Sequence, residues 1–120
     1  MNLDTYRPLG RSGLLVSPLA LGTMTFGTPR WGLDEGGSRA VFDRYTELGG
    51  NFVDTADVYA GGQSEEMVGM FVAERSARDR MVIATKSGFA TGQGYHAGGS
   101  GARHILASVE GSLRRLRTDF

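Results

Sequence analysis

Short apolar runs alternate with longer amphipathic stretches along this chain, and many of the boundaries between them carry glycines. Three runs have the length and the β-favouring side chains of strands, namely Leu19–Gly22, Phe52–Asp54 and Met81–Thr85. Each strand is followed by a segment with helical periodicity. The order strand, helix, strand, helix, strand, helix, with short turns, predicts right-handed βαβ units and a parallel sheet, which is an α/β fold.

Two further elements are predicted before the second strand. Arg7–Leu9 and Leu14–Val16 flank residues 10–13, where two glycines enclose a polar pair, and this pattern predicts a β-hairpin. A helix is predicted from about Ser38 to Leu48, and the paired glycines at 49 and 50 end it. Its buried stripe is expected to consist of Val41, Tyr45 and Leu48.

The other two helices follow the second and third strands. One is predicted to begin near Ser64 as its N-cap, with Glu65 and Glu66 in the first turn, where the helix dipole favours acids. Its apolar face is expected to comprise Met67, Val68, Phe71 and Val72. The last helix is predicted over about Arg103–Leu116. Its buried stripe is expected to comprise Leu106, Val109, Leu113 and Leu116.

An acid, a lysine and a tyrosine lie where the second and third strands end. Asp54 closes one strand, Lys86 follows the other, and Tyr59 comes five residues after the acid. Neighbouring parallel strands are roughly 5 Å apart, and alternation places Asp54 and Lys86 on the same face. We therefore expect an ion pair beside a tyrosine, which is one way to build a general acid. A structural ion pair near a surface tyrosine is the alternative from these residues alone.

The same residues belong to stretches that resemble the aldo-keto reductases. Asn51–Tyr59, followed by Gly61–Glu66, closely resembles the second strand, loop and helix start of that family, and Ala84-Thr85-Lys86 is similar to the end of its third strand. Similar stretches in the same order are Tyr6–Gly13, Leu21–Gly27 and Ser112–Phe120. The resemblance is specific to the family and not to a substrate.

The resemblance implies a (β/α)8 barrel of the TIM type with an N-terminal hairpin across the bottom. Such a barrel takes about 250 residues, whereas this chain has 120. We therefore expect residues 1–120 to be the N-terminal portion of a single barrel domain, with three strand–helix units and the barrel incomplete. The family's catalytic histidine would then lie beyond Phe120, as would the residues that bind the adenosine phosphate.

The resemblance also implies an NADPH-dependent oxidoreductase that reduces aldehydes and ketones, although NADH is not excluded. Tyr59 would be the general acid, supported by Lys86 and Asp54. The cofactor would contact Gly22, Thr23, Met24 and Asp54. Activity of these residues alone is not expected. The alternative is a cofactor-binding regulatory subunit like the family's channel-associated β-subunits, without significant turnover.

Composition narrows the other possibilities. Lysine plus arginine and aspartate plus glutamate both number 13, so a net charge of zero gives no reason to expect nucleic acid or a membrane surface as a partner. Cysteine is absent, and the sequence offers no secretory signal and no apolar run near the ~20 residues that span a bilayer. We expect a cytoplasmic protein with a small-molecule carbonyl substrate. Its oligomeric state is open.

Three remaining features concern the rim of the expected site. Residues 87–102 contain six glycines, which indicates either a mobile rim of the substrate site or disorder. Trp31 either lines the substrate pocket or packs in the interior. His96 and His104 are expected to face solvent, and no metal site is predicted because no acid or cysteine accompanies them at ligand spacing.

Overall fold

A computed structural model describes residues 2–120, which form a hairpin and a parallel three-stranded sheet covered by helices. Strands β1 (Arg7–Pro8) and β2 (Leu15–Val16) pair antiparallel. The Leu9 N–H donates to the Leu14 carbonyl at 2.8 Å and closes the turn between them. The predicted hairpin is confirmed, with shorter strands.

The parallel sheet has the order β3-β4-β5 and is built from consecutive strands. Strand β3 is Leu21–Gly22, β4 is Phe52–Asp54 and β5 is Val82–Ala84. Their last residues, Gly22, Asp54 and Ala84, are in register across the sheet. The predicted parallel pairing is therefore confirmed, and all three strands end at one edge.

Three helices cover one face of this sheet: α1 (Glu35–Glu47), α2 (Gln63–Glu74) and α3 (Ala102–Leu116). Helix α1 begins three residues before its predicted start because the Asp34 carboxylate accepts a 2.8 Å hydrogen bond from the Gly37 N–H. Aromatic side chains between the helices and the sheet form the centre of the core. Phe71 packs 5.5 Å from Phe42 and 6.4 Å from Phe26, measured between ring centroids.

The predicted N-cap of α2 was wrong. The N-cap is Gly62, in the left-handed region at φ 98°, and Ser64 lies inside the helix with its side chain fully buried. The predicted apolar face of α2 is largely confirmed, since Val68, Phe71 and Val72 are buried and Met67 packs against them.

Two predicted buried stripes were wrong in part. In α1, Tyr45 is buried but Val41 is exposed, and Phe42 takes the core position instead. In α3, Leu116 is buried, whereas Leu106 and Val109 are exposed to solvent. The buried side of α3 is lined by small and polar residues because this helix lies close against α2. These residues are His104, Ser108, Gly111 and Ser112. Within residues 2–120, no helix is both long and apolar enough to cross a membrane.

Candidate active site

Lys86 and Asp54 meet at the carboxyl edge of the parallel sheet. The Lys86 ammonium Nζ lies 2.7 Å from Asp54 Oδ2 and 2.7 Å from the main-chain oxygen of Thr55. The predicted ion pair is therefore confirmed, although Lys86 lies two residues beyond the end of β5. Both side chains are close to half exposed, at 47% for Lys86 and 44% for Asp54. The pair is thus accessible to a small molecule.

The pair changes the protonation of the lysine. Burial lowers the pKa of Lys86, but the hydrogen bond and the charge of Asp54, followed by the phenol of Tyr59, outweigh burial and raise the pKa of Lys86 above its ordinary value. Lys86 consequently stays a cation at neutral pH. A fixed positive charge therefore lies beside Tyr59.

Tyr59 is positioned by an unusual turn. The Lys86 ammonium lies 5.1 Å from the centroid of the Tyr59 ring, within the range of a cation–π contact. Tyr59 opens a 3₁₀ turn, Tyr59–Gly62, in which Ala60 (φ 50°) and Gly61 (φ 64°) both take left-handed conformations. Only glycine does this at no cost, so Ala60 is strained. This turn reverses the chain between the end of β4 and the start of α2 and keeps Tyr59 at the sheet edge.

The residues predicted to contact the cofactor differ in what they present. Gly22 ends β3 next to Asp54, and a side chain there would meet nothing within 4 Å, so the backbone borders open space. Met24 is half exposed. Thr23 is fully buried, and its hydroxyl donates to the Asp54 carbonyl at 3.2 Å. Its N–H and carbonyl are also hydrogen-bonded within the protein, so Thr23 presents no free surface to a ligand.

Of the two histidines predicted to face solvent, one does and the other does not. His96 is exposed, as expected, but His104 is buried on α3 with Nε2 3.3 Å from the Ser108 hydroxyl. The prediction of a solvent-facing His104 was wrong because α3 turns its polar side inward. Trp31 is 62% exposed, which argues against a packing role within residues 2–120. Between residues 87 and 101 the chain contains no helix or strand.

Sequence reasoning missed two polar residues behind the ion pair. Ser64 donates to the Thr23 carbonyl at 2.8 Å, and its hydroxyl lies 3.2 Å from that of Thr55. Glu65 is fully buried and accepts hydrogen bonds from Thr85 and Arg115. A serine and a glutamate at a helix start are equally well explained as capping residues. The sequence therefore carries no signal that separates capping from hydrogen bonding to the strand ends.

Comparisons with known proteins point to one family. The sequence model described as the Aldo/keto reductase family matches residues 18–120. A norsolorinic acid reductase from Emericella nidulans is 42% identical over 120 residues, which covers 91% of this chain and 31% of that protein. A protein from Oryza sativa subsp. japonica, named probable voltage-gated potassium channel subunit beta, is 38% identical and matches 96% of this chain over 34% of its own length.

Solved structures agree with the sequence matches. An aldo-keto reductase from Bacillus halodurans in its holo form superposes with a TM-score of 0.82 at 37% identity, over 99% of this chain and 38% of that one. The three parallel strands of residues 2–120 thus form part of a TIM-type barrel. The chain spans about a third of the length of the curated relatives described above. On the family match and the shared fold together, the chain belongs to the aldo/keto reductase family.

Proposed function

We propose that this chain carries the proton-donating part of the active site of an NADPH-dependent carbonyl reductase, with aldehydes or ketones as substrates. The observation that carries the proposal is the Asp54–Lys86 ion pair, 2.7 Å long, beside the ring of Tyr59 at the carboxyl edge of a parallel sheet. Barrel enzymes of this class have their active sites at that edge.

The proposed roles follow from the charges at the sheet edge. Tyr59 donates its phenolic proton to the carbonyl oxygen of the substrate as that oxygen gains negative charge. The Lys86 cation stabilises the phenolate that remains, because opposite charges at short range favour the ionised form. Asp54 orients Lys86 through the 2.7 Å hydrogen bond and keeps it protonated.

A nicotinamide cofactor, when bound, supplies the hydride for this reaction. Three residues of the proposed cofactor contact set fit such a group: the backbone of Gly22 borders open space, Met24 is half exposed, and the Asp54 carboxylate is accessible. Thr23 does not fit a direct contact, since it is fully buried and its hydroxyl, N–H and carbonyl are all hydrogen-bonded within the protein. NADPH is proposed over NADH from family resemblance.

The test is Tyr59→Phe in the full-length protein. Removing a positioned general acid lowers turnover by roughly 10²–10⁴-fold, so reduction of an aromatic aldehyde should fall by that factor. NADPH binding, followed by stopped-flow fluorescence, should be nearly unchanged because the hydroxyl adds little to holding the nucleotide. Tyr6→Phe is the matched control and should keep full activity, because the Tyr6 hydroxyl donates to the Gly49 carbonyl, which precedes β4 and lies away from the carboxyl edge. Unchanged turnover in Tyr59→Phe would remove Tyr59 from the mechanism.

The alternative is a regulatory subunit that binds the cofactor without significant turnover. One relative carries the name of a potassium channel β-subunit, but the alternative is not favoured. A purely binding role does not need a tyrosine beside a lysine–aspartate pair, whereas proton transfer does. Cofactor binding without reduction of any aldehyde or ketone would reverse this preference.

A further inference from the structure

Each of the three parallel strands is followed directly by a threonine, and all three hydroxyls contact the first turn of α2. Thr23 follows β3, Thr55 follows β4 and Thr85 follows β5. We call these residues the threonine row. Ser64 Oγ lies 2.8 Å from the Thr23 hydroxyl and 3.2 Å from that of Thr55. Glu65 Oε1 accepts a 2.6 Å hydrogen bond from the Thr85 hydroxyl.

The threonine row backs the ion pair from the opposite face of the sheet. Side chains alternate along a strand, so Asp54 projects to the other side from Thr55, and Lys86 to the other side from Thr85. The row faces the helical layer, and the ion pair faces the interior of the barrel. Each member of the pair is therefore one residue away from a threonine that α2 holds.

Glu65 is the only charged residue in this set, and its charge is compensated. Its side chain is fully buried, and Oε2 accepts a 2.6 Å hydrogen bond from Arg115 Nε on α3. Hydrogen bonds to an ionised acceptor are shorter and stronger than neutral ones. The carboxylate thus holds the Thr85 hydroxyl more firmly than a neutral acceptor would, at a point where β5 has already ended.

We infer that Glu65 is a positioning residue for Lys86. Its buried carboxylate holds the Thr85 hydroxyl and thereby fixes the backbone from which Lys86 reaches Asp54. The position of Lys86 is a matter of geometry alone, whereas the consequence for turnover rests on the proposed reductase function. Arg115 extends the connection to α3.

The experiment measures the protonation of Lys86 directly. Residues 1–120 contain a single lysine, so ¹³C at the lysine ε carbon gives one signal from this segment, and Lys86→Arg identifies it by its disappearance. The signal is titrated by NMR in the full chain and in two variants: Thr85→Val, which removes the hydrogen-bond donor, and Glu65→Gln, which leaves only a neutral acceptor. Thr85→Ser, which keeps the hydroxyl, and Glu66→Gln, which removes an exposed carboxylate from the same helical turn, are the matched controls.

Both disruptive variants should lower the pKa of Lys86, because a displaced lysine loses the hydrogen bond and the charge of Asp54. The two controls should leave the titration unchanged. Thr85→Val alters no charge, so a downward shift there cannot come from the charge of Glu65 acting through space. A shift in Glu65→Gln without one in Thr85→Val would overturn the inference, as would an unchanged titration in both. If Glu65→Gln does not fold, the test rests on Thr85→Val alone, and thermal melting establishes whether that variant is folded.

A second readout separates this inference from the proposed function. In the full-length protein, Thr85→Val should lower kcat for carbonyl reduction and leave the KM for NADPH unchanged, and Thr85→Ser should restore kcat. A lowered pKa of Lys86 with undiminished reduction would uphold the positioning role and contradict the proposed role of Lys86. Lowered reduction with an unchanged titration would contradict the positioning role alone.

Discussion

Gly69 of α2 lies directly against the backbone of Leu116 of α3: a Cβ added at Gly69 would be 2.6 Å from the carbonyl carbon and oxygen of Leu116. These are main-chain atoms, so they cannot move aside as the end of a side chain can. The two helices are therefore in backbone contact at this point. That contact explains why α3 presents small residues to α2.

Gly69→Ala should destabilise the protein even though alanine is the better helix former. The helix gains about 1 kcal/mol from the substitution, but overpacking against a fixed backbone typically costs about 1–3 kcal/mol. The overlap should dominate, and the free energy of unfolding measured in urea should fall. Gly36→Ala in α1 is the control, because its Cβ would meet only Asp34 Oδ1 at an ordinary 3.7 Å. That variant should be neutral or more stable, and an equal gain in both variants would contradict the close contact.

The same contact shows why part of the fold could not be predicted from the sequence. Leu106 and Val109 form an apolar stripe, and apolar periodicity predicts burial without naming the partner. In the structure α3 instead buries the side that carries Ser108 and Ser112, since only small side chains allow the close approach to Gly69. The strands were easier to predict from the sequence, because their apolar runs end on glycine or polar residues at one edge of the sheet.

Part of the candidate site could likewise be predicted from the sequence, and part could not. The Asp54–Lys86 pair followed from strand alternation and from the position of each residue at a strand end. The burial of Glu65 did not, because its partners Thr85 and Arg115 are 20 and 50 residues away along the chain. A glutamate in the first turn of a helix is adequately explained by the helix dipole. Only the tertiary packing of α3 distinguishes the two explanations.

The Asp54–Lys86 pair predicts a defined pH dependence of stability. The pKa of Lys86 is raised in the folded state above its ordinary 10.5, so the stabilisation is complete below that value and is lost as pH rises through the folded pKa. Both groups are nearly half exposed, so Asp54→Asn should cost no more than about 1 kcal/mol at neutral pH. Its cost should be smaller above pH 10.5 than at neutral pH, and should fall further as pH rises through the folded pKa of Lys86.

Asp43→Asn is the matched control for this measurement. Asp43 pairs with Arg75 at similar exposure, and arginine remains charged throughout this pH range. The cost of Asp43→Asn, measured by urea unfolding, should therefore be the same at both pH values. If the cost of Asp54→Asn were equally constant, the pair would not stabilise the fold through the charge of Lys86.

Asp57 predicts the opposite trend. It is 4% exposed, and its Oδ2 has no hydrogen-bond partner among residues 2–120. Burial first, and then the charge of Glu65, raise the pKa of Asp57, while Arg115 and His104 oppose that rise. An acid with a raised folded pKa favours folding most at low pH, and this contribution is lost as pH increases from 3.8 through the folded pKa.

Asp57→Asn should therefore increase stability at neutral pH, by on the order of 1 kcal/mol for each unit of the shift. The gain should disappear below pH 3.8, where the carboxyl is protonated in both states. Asp119→Asn, at an exposed position, should change stability little at either pH. Urea unfolding at the two pH values gives the comparison. A variant that is less stable at neutral pH than at acid pH, relative to the parent, would show that ionised Asp57 is stabilising.

The last prediction concerns the exposed stripe of α3. Leu106 is 66% exposed and Val109 is 50% exposed, and they lie on the same flank of the helix. The outer strands of the sheet, β3 and β5, each have one unpaired edge within residues 2–120. Apolar side chains in a contiguous patch, together with open strand edges, favour association. Residues 1–120 expressed alone should therefore form dimers or larger species. Leu106→Gln should shift that population towards the monomer, whereas Ala107→Gln, one residue along on the polar flank, should not. Light scattering coupled to size-exclusion chromatography measures the masses over a concentration series. A monodisperse monomer that melts cooperatively at every concentration would show that this exposed surface does not drive association.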